Sequence, residues 1–196
     1  MRATRRGCLG LAGALAGGFI LPAALSPAFC RDRGAAQAEA GRVLTLYFTW
    51  SGSSEAVARE AHRILGGDIL RLETAKAYPS VYGDMTRIAV AEREANARPA
   101  LRALPDVSGY ETIALGHPIW GGRMPMALYT FLESVDLAGK RVLHWTTHGG
   151  SGLGDSHEEL ARLQPRCRLA EPLAVYGWGG VRDLGAVADW LRRAGL

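Results

Sequence analysis

Three short stretches of this 196-residue chain gather hydroxyls, glycines and aromatic rings. Thr49-Trp50-Ser51-Gly52-Ser53-Ser54 carries hydroxyls at Thr49, Ser51, Ser53 and Ser54, just ahead of an amphipathic segment. The free amides and dipole of a helix start favour an anion such as a phosphate. The loop lacks GxxxxGK[ST], so it is not a Walker cradle. An ordinary serine-capped helix start accounts for it equally simply. In Gly116-His117-Pro118-Ile119-Trp120-Gly121-Gly122, an indole precedes paired glycines. An exposed indole is a platform for a flat ring, and the glycines let backbone approach that ring. Thr146-Thr147-His148-Gly149-Gly150-Ser151-Gly152-Leu153-Gly154 places four glycines after an apolar run, which suits backbone amides lining a ligand.

Two other chemistries use the same residues. His148-Gly149-Gly150 is similar to the oxyanion loop of some esterases, with Ser51 or Ser151 as nucleophile, but G-x-S-x-G is missing at both. His148, Asp155 and His157 are metal-ligating types, at a spacing that matches no strong motif.

The elements that must position these loops follow from periodicity. Val43 to Phe48 is a nearly continuous apolar run of β formers, a strand buried on both faces. Val57, Ala61, Ile64 and Leu65 recur at helical spacing among charges, and Gly66-Gly67 ends that helix. Ile69 to Glu73 is a short, more charged edge strand. Further strands are expected at 112–115, 142–146 and 173–176. Helices are expected at 82–98, 126–133, 158–163 and from Leu184 through Leu191. Strict strand–helix alternation predicts an α/β fold, a doubly wound parallel sheet of five strands with helices on both faces. Ligands in such sheets sit beyond the carboxyl ends of the strands, where all three loops fall.

Composition narrows the function. Apolar residues make up 48% and charged residues 21%, enough for a real core. Three cysteines, Cys8, Cys30 and Cys167, exclude a disulfide scaffold and a four-cysteine zinc site; pairing of Cys30 with Cys167 stays open. Residues 1–38 have a basic start, an apolar middle and small residues near Ala28 and Ala38, as an export signal with a short linker does. Thr4-Arg5-Arg6 with Leu9 is similar to the twin-arginine type. The expected location is therefore extracytoplasmic or periplasmic. An uncleaved membrane anchor is the alternative. Five Arg and one Asp lie in that segment, the whole of the chain's net +4, so residues 39–196 are formally neutral. The basic excess does not argue for nucleic acid, and no stable membrane insertion of residues 39–196 is expected.

Taken together, Tyr47 to Ser54, Leu115 to Gly122 and Thr147 to Gly154 resemble the flavodoxin family, particularly its exported members, over residues 42 to 195. Tyr78-Pro79 and Arg98-Pro99 are similar to that subgroup as well. The resemblance implies sheet order 2-1-3-4-5 and flavin mononucleotide (FMN) as cofactor. It implies that Thr49, Ser51, Gly52, Ser53 and Ser54 hold the phosphate. Pro118, Ile119, Trp120 and Gly121 would pack along the isoalloxazine, with His148, Gly149, Gly150 and Gly152 on its other side. Ser53-Ser54 replaces the usual Asn-Thr, and Gly121 replaces a common second aromatic. The implied function is electron transfer with a redox partner protein. An FMN-dependent quinone or nitro reductase and a cofactor-free binding protein are the alternatives.

Overall fold

The computed structural model describes residues 42–196; the expected export signal and cleavage points lie outside them, as does Cys30. The order is β1 (Val43–Tyr47), α1 (Ser53–Leu65), β2 (Asp68–Arg71), α2 (Tyr82–Glu94), β3 (Thr112–Pro118), α3 (Met126–Ser134), β4 (Arg141–His148), α4 (Ser156–Leu163), β5 (Arg168–Leu169), β6 (Leu173–Tyr176) and α5 (Gly185–Arg193). All strands pair in parallel, in the order β2-β1-β3-β4-β5, with β6 also on β4.

Alternation along β1 sends its side chains to two cores. Leu44 and Leu46 join Ile113, Leu115, Leu128, Phe131 and Leu132 on the α3–α4 face. Val43 and Tyr47 join Val57, Ala61, Leu143, Trp145, Val187 and Trp190 on the α1–α5 face. On α1 the apolar stripe is buried while Glu55–Arg59 and Glu60–Arg63 pair on the exposed side. Gly66, at φ 68, ends that helix as expected.

Four details depart from the sequence reading. The fifth sheet position holds two segments: β5 pairs with Arg141 and Val142, and β6 with Trp145 to His148. Pro172, which has no N–H to give a ladder, stands in the break. The helix expected at 82–98 stops at Glu94, and Asn96 turns left-handed at φ 48. β3 and β4 both outrun their expected ends because their ladder continues through His117↔Thr146 and Pro118↔Thr147. Residues read as loop are thus fixed by the sheet. Lastly, α2 packs against α3 and fully buries only Met85. Its inner face is turned to a cavity at the carboxyl end of the sheet.

Candidate functional site

Turns at the ends of β1, β3, β4 and β6 meet around a cavity of about 790 Å³. This is within the usual range for small-ligand sites. Hydrogen bonds tie the turns to one another. The Ser54 and Thr147 hydroxyls meet at 2.7 Å, and Ser53 Oγ donates to the Gly177 carbonyl at 2.8 Å. Ile119 N–H donates to Thr147 O at 2.8 Å, and Asp155 N–H to Gly122 O at 2.9 Å. The walls are therefore one connected frame.

At the β1 end, Gly52 N–H donates to Thr49 Oγ1 at 3.0 Å, closing the turn. Gly52 has φ 89, a conformation that a side chain would strain. No side chain caps α1. The first amides of that helix are consequently left for something other than a cap, and the Ser51 and Ser53 side chains line the cavity beside them. This overturns the simple serine-cap reading of the loop. The arrangement fits an anion held by N–H and O–H donors.

At the β3 end, Trp120 packs edge-on against Phe48 (5.5 Å) and Tyr78 (5.0 Å), yet also lines the cavity. It is both a packed indole and a ligand-facing one. Arg93 Nη1 donates to Gly121 O at 3.1 Å, so the Gly121 peptide is anchored from α2. On the third side, Gly150 N–H donates to His148 Nδ1 at 3.0 Å. That bond leaves Nδ1 as acceptor, and desolvation lowers the His148 pKa.

Of the residues assigned from sequence, Ser51, Ser53, Pro118, Ile119, Trp120, Gly121, His148, Gly149 and Gly150 line the cavity. Thr49, Gly52, Ser54 and Gly152 are not among its lining. Thr49 and Ser54 brace the wall through the bonds above, and Gly152 O lies 3.4 Å from Thr146 Oγ1. Sequence reasoning missed a whole wall: Tyr82, Met85, Ala89, Val90 and Arg93 of α2, with Trp178 facing them. The signal was there, since Met85, Ala89 and Arg93 recur every fourth residue. The metal-ligating alternative does not assemble. His148 bonds Gly150, Asp155 pairs with Arg123 at 3.4 Å, and His157 turns to His144. Among the described residues, no group of three or more His, Cys, Asp or Glu is arranged to hold a metal ion.

A sequence model of the flavodoxin family matches residues 42–190. The chain belongs to the flavodoxin family. Among solved structures, two candidate flavoproteins are similar to it over nearly their full length. That of Bacteroides uniformis has 27% identity and a TM-score of 0.69, covering 78% of this chain and 98% of its own. That of Bacteroides eggerthii has 26% identity and a TM-score of 0.69, with 79% and 98% covered. A Lactobacillus acidophilus flavoprotein, solved in complex with FMN, shares the fold at 18% identity and a TM-score of 0.60, with 78% and 99% covered. No functionally curated protein matches the chain. Flavodoxin membership agrees with the sheet order and places the cavity at the switch point between β1 and β3.

Proposed function

We propose that this flavodoxin binds FMN and carries electrons between protein partners after export from the cytoplasm. The observation that carries the reading is the two-ended cavity. An uncapped helix start with Ser51 and Ser53 stands at one end. A flat apolar slot between Trp120, Ile119 and the α2 face forms the rest. FMN has a phosphate for the first and a planar ring for the second, and when bound it supplies reversible one- and two-electron chemistry.

The protein's part is to bind, orient and shield. The Ser51 hydroxyl and the first α1 amides, that of Ser53 among them, receive the phosphate, while Thr49 and Gly52 hold that turn in shape. Ile119, Trp120, Met85, Ala89 and Val90 keep water from the ring faces. Arg93 holds the Gly121 peptide at the edge, and neutral His148 offers no fixed charge. Family membership supports the cofactor, and the basic, apolar residues 1–38 support the export route.

The deciding test is an absorption spectrum of freshly purified protein, before and after adding FMN. A flavin band that remains on the protein through gel filtration is expected. Protein that stays colourless would move the reading to a cofactor-free binder. With FMN bound, reduced nicotinamide and a quinone should give no turnover unless a separate reductase is added. Rapid turnover by the protein alone would make it an oxidoreductase. N-terminal sequencing of secreted material is expected to show the mature chain beginning near Ala28 or Ala38; recovery of Met1 in the membrane fraction would favour the anchored form.

A further inference from the structure

Beneath the cavity wall lies a feature that the binding of FMN does not use. His117 on β3, His144 on β4 and His157 on α4 form a continuous hydrogen-bonded line. His117 Nε2 is 2.9 Å from His144 Nε2, and His144 Nδ1 is 3.2 Å from His157 Nδ1. His117 and His144 are fully buried, while His157 is half-buried. The inner end is anchored, with His117 Nδ1 3.0 Å from the Pro118 carbonyl oxygen. That carbonyl belongs to the Pro118–Ile119 peptide, whose N–H is held by Thr147 O, and both residues line the cavity.

The anchor gives the line a direction. A carbonyl only accepts, so His117 Nδ1 carries its hydrogen and, in the neutral ring, Nε2 is the acceptor. His144 must then donate from Nε2 and accept at Nδ1. His157 must donate from Nδ1, which leaves its Nε2 free to exchange with water. One backbone oxygen thereby fixes three tautomers.

We propose that this line moves a proton between solvent at His157 and the pocket wall at His117, and takes one up when the pocket gains negative charge. The inference rests on FMN being the ligand, with the charge delivered as an electron by an external donor such as dithionite. The transfer balances in three steps. Water-borne H⁺ binds His157 Nε2, and the His157 Nδ1 hydrogen passes to His144 Nδ1. The His144 Nε2 hydrogen then passes to His117 Nε2. His117 ends as the cation, still donating to Pro118 O. His144 and His157 end neutral, each in its other tautomer.

The surroundings keep the line neutral until then. Burial lowers His117 to about 4, and burial with the nearness of His117 and His157 holds His144 well below its ordinary value. Burial lowers His157 as well, with Glu158 on α4 acting in the opposite sense. The other ionisable groups on the elements packed there engage one another. Arg123 pairs with Asp155 and Glu159, Tyr129 of α3 shares Glu159, and Glu133 pairs with Arg98. Arg162 stands at the far end of α4, and Arg141 donates to Ala194 O beyond the opposite end of β4.

The test combines two readouts on the full chain. Imidazole nitrogen NMR of the protein without FMN should show hydrogen at His117 Nδ1, His144 Nε2 and His157 Nδ1. Midpoint potentials of FMN-loaded protein are then measured from pH 5.5 to 8 for wild type and His144→Phe, and the rate of proton uptake on dithionite reduction is followed with a pH dye for wild type and His157→Gln. The wild-type potential should be steeper than that of His144→Phe, by up to tenfold per pH unit in the reduction equilibrium. His157→Gln leaves the buried pair intact, so its uptake should slow at least tenfold, and it serves if His144→Phe does not fold. Different tautomers, equal slopes for wild type and His144→Phe, or unslowed uptake in His157→Gln overturn the proposal alone. A colourless protein overturns the FMN reading and the proposal together.

Discussion

The hydroxyl pair Ser54–Thr147 shows how a residue can belong to a site without touching what fills it. Both side chains are buried, and their 2.7 Å bond ties the start of α1 to the end of β4. Ser54→Ala removes one partner and leaves Thr147 Oγ1 without it, which should cost about 1–2 kcal/mol. Urea unfolding checks this; an unchanged midpoint would mean that water replaces the bond. His117 sets a pH limit of its own. Its folded pKa of about 4 lies below the ordinary 6.5, so the unfolded chain takes the proton first. Stability is therefore complete above about pH 6.5 and is lost as pH falls to about 4, by roughly 3 kcal/mol from this ring. Urea midpoints for His117→Leu should fall less steeply over that interval. An equally steep fall would show that burial of this ring is not the cause.

Element boundaries explain both what the sequence revealed and what it concealed. Every helix and every strand but the two-residue β5 was legible, because β1 is apolar on both faces and α1 and α5 have clean helical stripes. The turns bearing Ser51, Trp120 and His148 were legible because glycines and hydroxyls crowd there. The α2 wall was legible as a helix stripe at Met85, Ala89 and Arg93 but not as a wall of the site. A cavity face and a core face look alike in sequence, and only packing shows that Ala89 and Val90 meet open space. This gives a sharp test. Ala89→Trp should fill the slot and lower FMN affinity at least tenfold, while stability changes by less than about 0.5 kcal/mol. Fluorescence titration and urea unfolding separate the two effects. The histidine line escaped notice for another reason, since its members lie on β3, β4 and α4 and meet only in the packed chain. Gly116 is a further case. A Cβ there would lie 1.8 Å from the Trp145 ring. Gly116→Ala should cost about 1–3 kcal/mol by overpacking, as a lowered thermal midpoint would report.

At the scale of the whole molecule, the net charge of +4 lies in residues 1–38. Residues 39–196 are formally neutral, so no long-range field draws one sign of partner toward the cavity. Reduction of the FMN-loaded protein by small anionic and cationic donors should change less than about threefold between 20 and 200 mM salt. Stopped-flow rates would decide it; a steep salt response would reveal a local charged patch around the cavity mouth. Among the described residues, no helix is long and apolar enough to cross a membrane. The interruption at Pro172 has a consequence for the protein at high concentration. A parallel sheet ends in a row of unsatisfied N–H and C=O groups, to which a strand from another molecule can add. Here that border is two residues, a proline-bearing gap and four residues, while the opposite border, β2, is four residues bounded by Asp68 and Arg71. Neither margin offers a long straight template. Crowded copies should thus resist stacking into fibrils, and replacing Pro172 with a strand-forming residue is the change that would weaken that protection.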